Sequence, residues 1–319
     1  MGNCWYKYLL QPPLKMKRIT FLLILLAPFG LWSQAVVVQG QILDDSTNVA
    51  IPFSTVAVKG KGIGVATGVD GRFDLTIQEY AKNDSLVFRS LGYKDYCVLL
   101  DSFLRETGNE AEVEVKLAPV SFNLREIVVL PTKEEETFGV LSDFTTGTAY
   151  SHTAGAQLAI FIPNDKGNKG VIKSVSYFFT GKKRKPTAPF RIRVLEADQN
   201  GRPGKDLLLK SVVVNAPKSD EWFTVNLEEY NLPFPENGYF AGLELIYTDK
   251  KYQFKVRPPG LTRKKKIACQ GPVLGLVKTK EPSNRWTGRI GRGFGNFDYE
   301  HKGGYRYNHM IKSTVKYQK

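Results

Sequence analysis

The sequence predicts an all-β protein built as two successive sandwiches behind an export leader, and three observations carry that prediction. Apolar residues recur at a spacing of two through many short runs, as in 72–77 (Arg-Phe-Asp-Leu-Thr-Ile) and 190–196 (Phe-Arg-Ile-Arg-Val-Leu-Glu), the period of a half-buried strand. The gaps between runs hold Gly, Asp, Asn and Pro, the residues that let a backbone reverse. No long segment carries the 3.6-residue period of an amphipathic helix. Charge then divides the chain: residues 36–118 hold 8 Lys+Arg against 12 Asp+Glu, whereas residues 148–319 hold 31 against 14. Such an asymmetry points to two differently built units.

The chain begins with features of a signal peptide. Lys15, Lys17 and Arg18 precede an apolar stretch, 19–32, broken by Pro28 and Gly30, and Ser33-Gln34-Ala35 supplies the small residues of a cleavage site. A bilayer span needs about 20 apolar residues, and this run is shorter. Met16 stands where such a leader starts, so 1–15 reads as an upstream extension and 1–35 as the removed segment. No cysteine stands directly after the apolar stretch, which argues against a lipoprotein anchor; Cys4 precedes it.

In the first unit, 36–118, strands are expected at 36–43, 53–59, 64–68, 72–77, 86–90, 95–100 and 112–117. Asp44 to Asn48, Gly60-Lys61-Gly62 and Asp70-Gly71 mark turns. Asp70 reads as a turn residue rather than a calcium ligand, because calcium needs six or more oxygens. Tyr93 reads as a packed corner, and Cys97, in an apolar strand, as a buried free thiol. Cys97 and Cys269 fall in different units, so neither a disulfide framework nor a zinc site is expected. Gly40, Pro52 with Val56, Thr67, Asp70-Gly71-Arg72-Phe73 and Gly92-Tyr93 together resemble the carboxypeptidase-regulatory-like domain. That family is a seven-stranded sandwich of transthyretin type, common in secreted proteins of Bacteroidetes-like bacteria. Val69 departs from the polar residue often found there. The resemblance covers about 37–118 and implies a module without catalysis of its own.

Residues 119–147 read as a linker. Leu124-Arg125-Glu126-Ile127-Val128-Val129 resembles the segment that follows this domain in TonB-dependent outer-membrane receptors, but the remainder lacks the many alternating strands of a lipid-facing barrel. Glu134-Glu135-Glu136 reads as an acidic, solvated hinge. Beyond it, strands are expected at 156–162, 171–180, 190–197, 207–214, 221–226, 238–246, 253–258, 273–277 and 311–317, an antiparallel sandwich. Their order is similar to the jelly-roll modules of secreted bacterial proteins.

Chemistry is sparse. Three histidines (His152, His301, His309) and no Gly-x-Ser-x-Gly elbow offer no nucleophilic machinery, and no His-Glu-x-x-His zinc motif occurs. Asp198-Gln199-Asn200-Gly201 begins like a calcium loop, but Arg202-Pro203 interrupts the ligand series. A distant carboxylate pair of the glycosidase kind stays open. Two basic runs, Lys182-Lys183-Arg184-Lys185 and Arg263-Lys264-Lys265-Lys266, fall between strands and would form an anion-binding rim if brought together; as separate solvated turns they would do nothing. The stretch from Trp286 to Tyr299, with Arg289 and Phe294, reads either as a mobile sugar-stacking loop or as a connector tucked onto a sheet.

The reading is an exported, non-catalytic binding or scaffold protein of the periplasm, outer membrane or cell surface. Its expected partners are glycan, lipopolysaccharide or an outer-membrane protein, with no nucleic acid, no cofactor and no membrane span in the mature chain. The alternatives are a carbohydrate-active enzyme and a structural subunit of an outer-membrane assembly.

Overall fold

The computed structural model describes residues 35–107, 112–120, 134–151, 155–181, 187–246, 252–256, 266–296 and 298–317. The leader and the segment 124–129 lie outside them.

The first unit contains β1 (Val36–Asp44), β2 (Thr55–Val58), β3 (Gly64–Ala66), β4 (Arg72–Ile77), β5 (Ser85–Arg89), β6 (Tyr96–Leu99), α1 (Leu100–Thr107) and β7 (Glu112–Leu117). Strict alternation decides the faces: Phe73, Leu75 and Ile77 of β4 and Val113, Val115 and Leu117 of β7 are buried while their neighbours are exposed. A three-stranded sheet, β4-β1-β7, faces a four-stranded one, β3-β2-β5-β6. β1 runs antiparallel to β4 and parallel to β7. Gly40 permits the second pairing, since a Cβ there would come within 2.1 Å of the Val113 carbonyl oxygen. Phe88 centres the core, touching the rings of Phe73, Tyr96 and Phe103 at 5.7–5.9 Å.

The residues behind the family resemblance hold turns. Asp70 Oδ1 accepts the Arg72 amide at 3.1 Å, Thr67 Oγ1 accepts the buried Ser54 amide at 2.8 Å, and Tyr93 donates to Asp44 Oδ2 at 2.9 Å. Two expectations fail here. Leu100, expected to end a strand, begins α1, whose Leu100, Phe103 and Leu104 follow helical spacing and cover the core. Cys97 is exposed rather than buried, because β6 is the edge strand and Cys97 points away from the core face that Tyr96 and Val98 share with Phe88 and Leu86.

The second unit contains β8 (Glu134–Gly139), β9 (Gly147–Ser151), β10 (Ala156–Ile162), β11 (Gly170–Thr180), β12 (Phe190–Ala197), β13 (Pro203–Asp206), β14 (Val213–Val214), β15 (Glu221–Asn226), β16 (Tyr239–Leu245), β17 (Phe254–Val256), β18 (Ile267–Thr279), β19 (Arg285–Arg289), β20 (Gly293–Asn296), β21 (Arg306–His309) and β22 (Ile311–Tyr317). A seven-stranded sheet (β13-β12-β16-β10-β19-β20, with β14 on β12) packs on an eight-stranded one (β17-β18-β11-β22-β8, with β15, β21 and β9 attached). Between them lie Tyr177, Phe179, Phe190, Tyr239, Leu243 and Ile311, all fully buried. Each such side chain contributes roughly 1.5–3 kcal/mol.

The glutamates 134–136 are not a solvated hinge. They begin β8, which pairs along β22; Lys173 Nζ lies 2.7 Å from Glu135, and the Tyr317 hydroxyl donates to Glu136 at 2.6 Å. A strand with neutralised carboxylates reads in sequence like a charged hinge. The strand expected over 207–214 shrinks to Val213–Val214. Leu207 and Leu208 are consecutive and both buried, which a half-exposed strand does not allow, and Asp206 Oδ1 caps the Leu208 amide at 2.9 Å.

Candidate binding surfaces

All seven residues of β16 are buried, although an antiparallel sheet commonly leaves one face to water. Two neighbours cover its outer face. At one end, Arg191 and Arg193 of β12 both bond Glu244 Oε2, at 3.0 and 2.9 Å, while Arg193 also reaches Asp206 at 2.6 Å and Arg191 reaches Ser211 at 2.9 Å. Burial works to raise the Glu244 carboxyl, but the two arginines outweigh it and hold it below the usual range. Arg191 Nη2 also donates to the Phe53 carbonyl oxygen of the first unit.

Further contacts complete this dock. The Gly60 amide donates to the Gly291 carbonyl at 2.7 Å. A Cβ on Gly64 would meet both Ala57 and Ile290, and one on Gly92 would lie 2.9 Å from the Leu209 carbonyl oxygen. The outer face of the β2–β3 region thus lies on the outer face of the seven-stranded sheet, and the four sheets form successive layers.

The other end of that face is aromatic. Trp286 stands edge-on to Phe240 (5.3 Å, 78°), Phe161 packs on Phe240 at 5.1 Å, and Phe294 joins the cluster. Trp286 and Phe294 lie on β19 and β20, paired by a hairpin with Arg289 exposed at its tip. The mobile-loop alternative is therefore corrected: the stretch is mostly sheet, and Trp286 is half-buried by packing. Lys266 is exposed just before β18. Lys182, Lys183, Arg184, Lys185, Arg263, Lys264 and Lys265 lie outside the described residues, as does His152.

Beyond this hairpin the structure gathers rings that sequence reasoning passed over. His301 and Tyr305 form a β-bridge, the His301 amide donating to the Tyr305 carbonyl at 2.9 Å around a Gly303-Gly304 turn in which both glycines have positive φ. Their rings stack at 5.3 Å and 7°. Tyr299 and Tyr307 meet His301 edge-to-face at 5.0 and 5.1 Å, and Tyr307 meets Tyr305 at 5.5 Å. Lys278 Nζ lies 4.3 Å from the Tyr305 centroid. On the hairpin's other face Arg306 pairs with Glu300 at 2.8 Å and with Asp298 at 2.9 Å. The signal in the sequence was Tyr-x-His-x-x-x-Tyr-x-Tyr, alternation mirrored across two glycines.

Asp206 and Glu244, the deeply buried carboxylates, are tied to arginines, with side chains only 5% and 2% exposed. Asp198 Oδ1 accepts the Asn200 and Arg202 amides at 2.8 and 2.9 Å, a local turn. Among the described residues no cluster of three or more His, Cys, Asp or Glu could hold a metal ion. No helix among them is long and apolar enough to cross a membrane.

Residues 38–129 match the sequence model of the CarboxypepD_reg-like domain. The first unit is a domain of that family. The match spans under a third of the chain and leaves the second sandwich unassigned. A CarboxypepD_reg-like domain is non-catalytic, and here it serves as two of four stacked sheets. No curated protein matches the chain. Among solved structures, those of infectious bursal disease virus Gt and Gx strains align over 89% of this chain, at 9% identity and TM-scores of 0.22 and 0.20. The chain spans 59% and 63% of those two chains.

Proposed function

We propose that this protein is an exported, non-catalytic binding or scaffold protein of the periplasm, outer membrane or cell surface, engaging a glycan or another anionic surface component through its second sandwich. The observation that carries this reading is the dock between Arg191 and Phe53: the CarboxypepD_reg-like domain is held as a fixed layer, a rigid spacer that leaves the far sheet and the hairpin end of the second sandwich to meet a partner. The excess of basic residues over 148–319 favours an anionic one.

A glycan array probed with the full mature chain tests it. Saturable binding without turnover supports the reading. Release of a shortened product would replace it with the hydrolase alternative, and silence across the array would favour a structural subunit. Retention on lipopolysaccharide or an anionic polysaccharide should fall steeply with salt, as the Debye length shrinks from about 10 Å at 0.1 M to about 3 Å at 1 M. Replacing Lys182, Lys183, Arg184 and Lys185 with Ser should weaken that retention while leaving folding nearly unchanged.

A further inference from the structure

The hairpin from Tyr299 to Tyr307 places side chains alternately on two faces. One face carries Glu300 and Arg306, paired with each other. The other carries Tyr299, His301, Tyr305 and Tyr307, whose rings pack on one another and belong to none of the three hydrophobic clusters of the fold. Tyr299 remains 65% exposed. His301, Tyr305 and Tyr307 are half-buried against one another, whereas Tyr299 is left largely in water at the edge of the cluster. The turn at Gly303-Gly304 has no side chain to cover them.

Lys278 adds a charge to this platform. Its ammonium is held over the Tyr305 ring by a cation–π contact, and among the described residues no carboxylate pairs with it. Rings that present flat apolar faces with hydroxyl rims suit the C–H face of a pyranose and its hydroxyl groups. A free ammonium beside them suits a carboxylate on the same sugar.

We infer that the Tyr299–Tyr307 hairpin is a binding site for an acidic saccharide, with the exposed Tyr299 stacking on the sugar ring, Tyr305 supporting the site through its contacts with His301 and Lys278, and Lys278 pairing with the sugar carboxylate. This rests on the binding-protein reading and names its ligand class and its residues.

The test is isothermal titration of the mature chain with a galacturonan oligomer and with a neutral galactan oligomer of equal length. The parent should bind the acidic oligomer more tightly. Tyr299→Ala should weaken that binding about tenfold, the worth of one lost ring contact. Lys278→Met should abolish the preference for the acidic oligomer while leaving neutral binding in place. Tyr299→Phe, which keeps the ring, should bind within a factor of a few of the parent, and thermal melts should show every variant folded. Equal affinity of the parent for both oligomers, or parent-like affinity in Tyr299→Ala, overturns the proposal. If the glycan array is positive and Tyr299→Ala binds normally, this site is wrong while the binding function stands; if no glycan binds at all, both readings fall.

Discussion

The guanidinium of Arg191 donates to the main-chain carbonyl of Phe53, 138 residues earlier in the chain, while its other nitrogens hold Glu244 and Ser211. One side chain therefore belongs at once to the second sandwich's buried charge network and to the joint between the two units. Phe53 presents that carbonyl from a left-handed backbone conformation, φ 55°, uncommon for a residue with a bulky side chain.

Replacing Arg191 with Met should destabilise the protein by about 3 kcal/mol, because Glu244 then keeps only Arg193 against a large desolvation cost. Urea denaturation measures the loss, and limited proteolysis should cut the variant faster near the joint. Arg289→Met, at an exposed hairpin tip, should change stability by under about 0.5 kcal/mol.

Stability should fall as pH drops from about 6.5 toward 3. Burial, aided by nearby Arg285, pushes His309 down to about 3, and its Nδ1 bonds the Ala159 carbonyl at 3.2 Å. The folded pKa lies below the unfolded one, so the unfolded chain binds the extra proton in this window. The contribution is complete above the unfolded value and is lost on acidification, at up to about 1.4 kcal/mol per pH unit. His309→Gln, which keeps a donor for Ala159, should flatten the slope of melting temperature against pH between 6 and 5. An unchanged slope would assign the acid sensitivity to carboxylates.

Cys97 and Cys269 should react very differently. Cys97 is exposed on edge strand β6, whereas Cys269 is buried and burial raises its thiol pKa. Of these two, a maleimide added to native protein should modify Cys97, located by peptide mapping, and reach Cys269 only in denaturant. Equal labelling of both in the native state would contradict the placement of β18.

Gly40→Ala should cost about 2 kcal/mol or more, because the new methyl group collides with backbone at Val113 rather than with a flexible side chain. Loss of β7 protection in hydrogen exchange, with β5 protected as before, would locate the damage at the β1–β7 pairing.

Trp286→Ala should destabilise by about 2 kcal/mol through the lost packing on Phe240, yet leave acidic-saccharide binding at parent strength. Binding lost along with Trp286 would move the ligand site from the Tyr299 hairpin to the outer sheet face.

The sequence by itself determined the class and most strands, because β4, β7 and β12 carry their pattern locally: a two-residue period needs no partner to be read. The family turns at Asp70-Gly71 and Tyr93 were legible for the same reason, each depending on residues with special backbone or capping chemistry. What it could not determine was burial created by distant chain. Cys97 reads as core until β6 proves to be an edge; Glu134–Glu136 read as solvated until Lys173 and Tyr317 arrive; Trp286 reads equally as part of a sugar-stacking loop or of a tucked connector until its packing on Phe240 decides. The Arg191–Phe53 joint has no local signature, since it pairs an alternating strand with a backbone carbonyl more than a hundred residues away. Only the tertiary structure decided which aromatic residues were consumed by packing and which, around Tyr299, were left facing water.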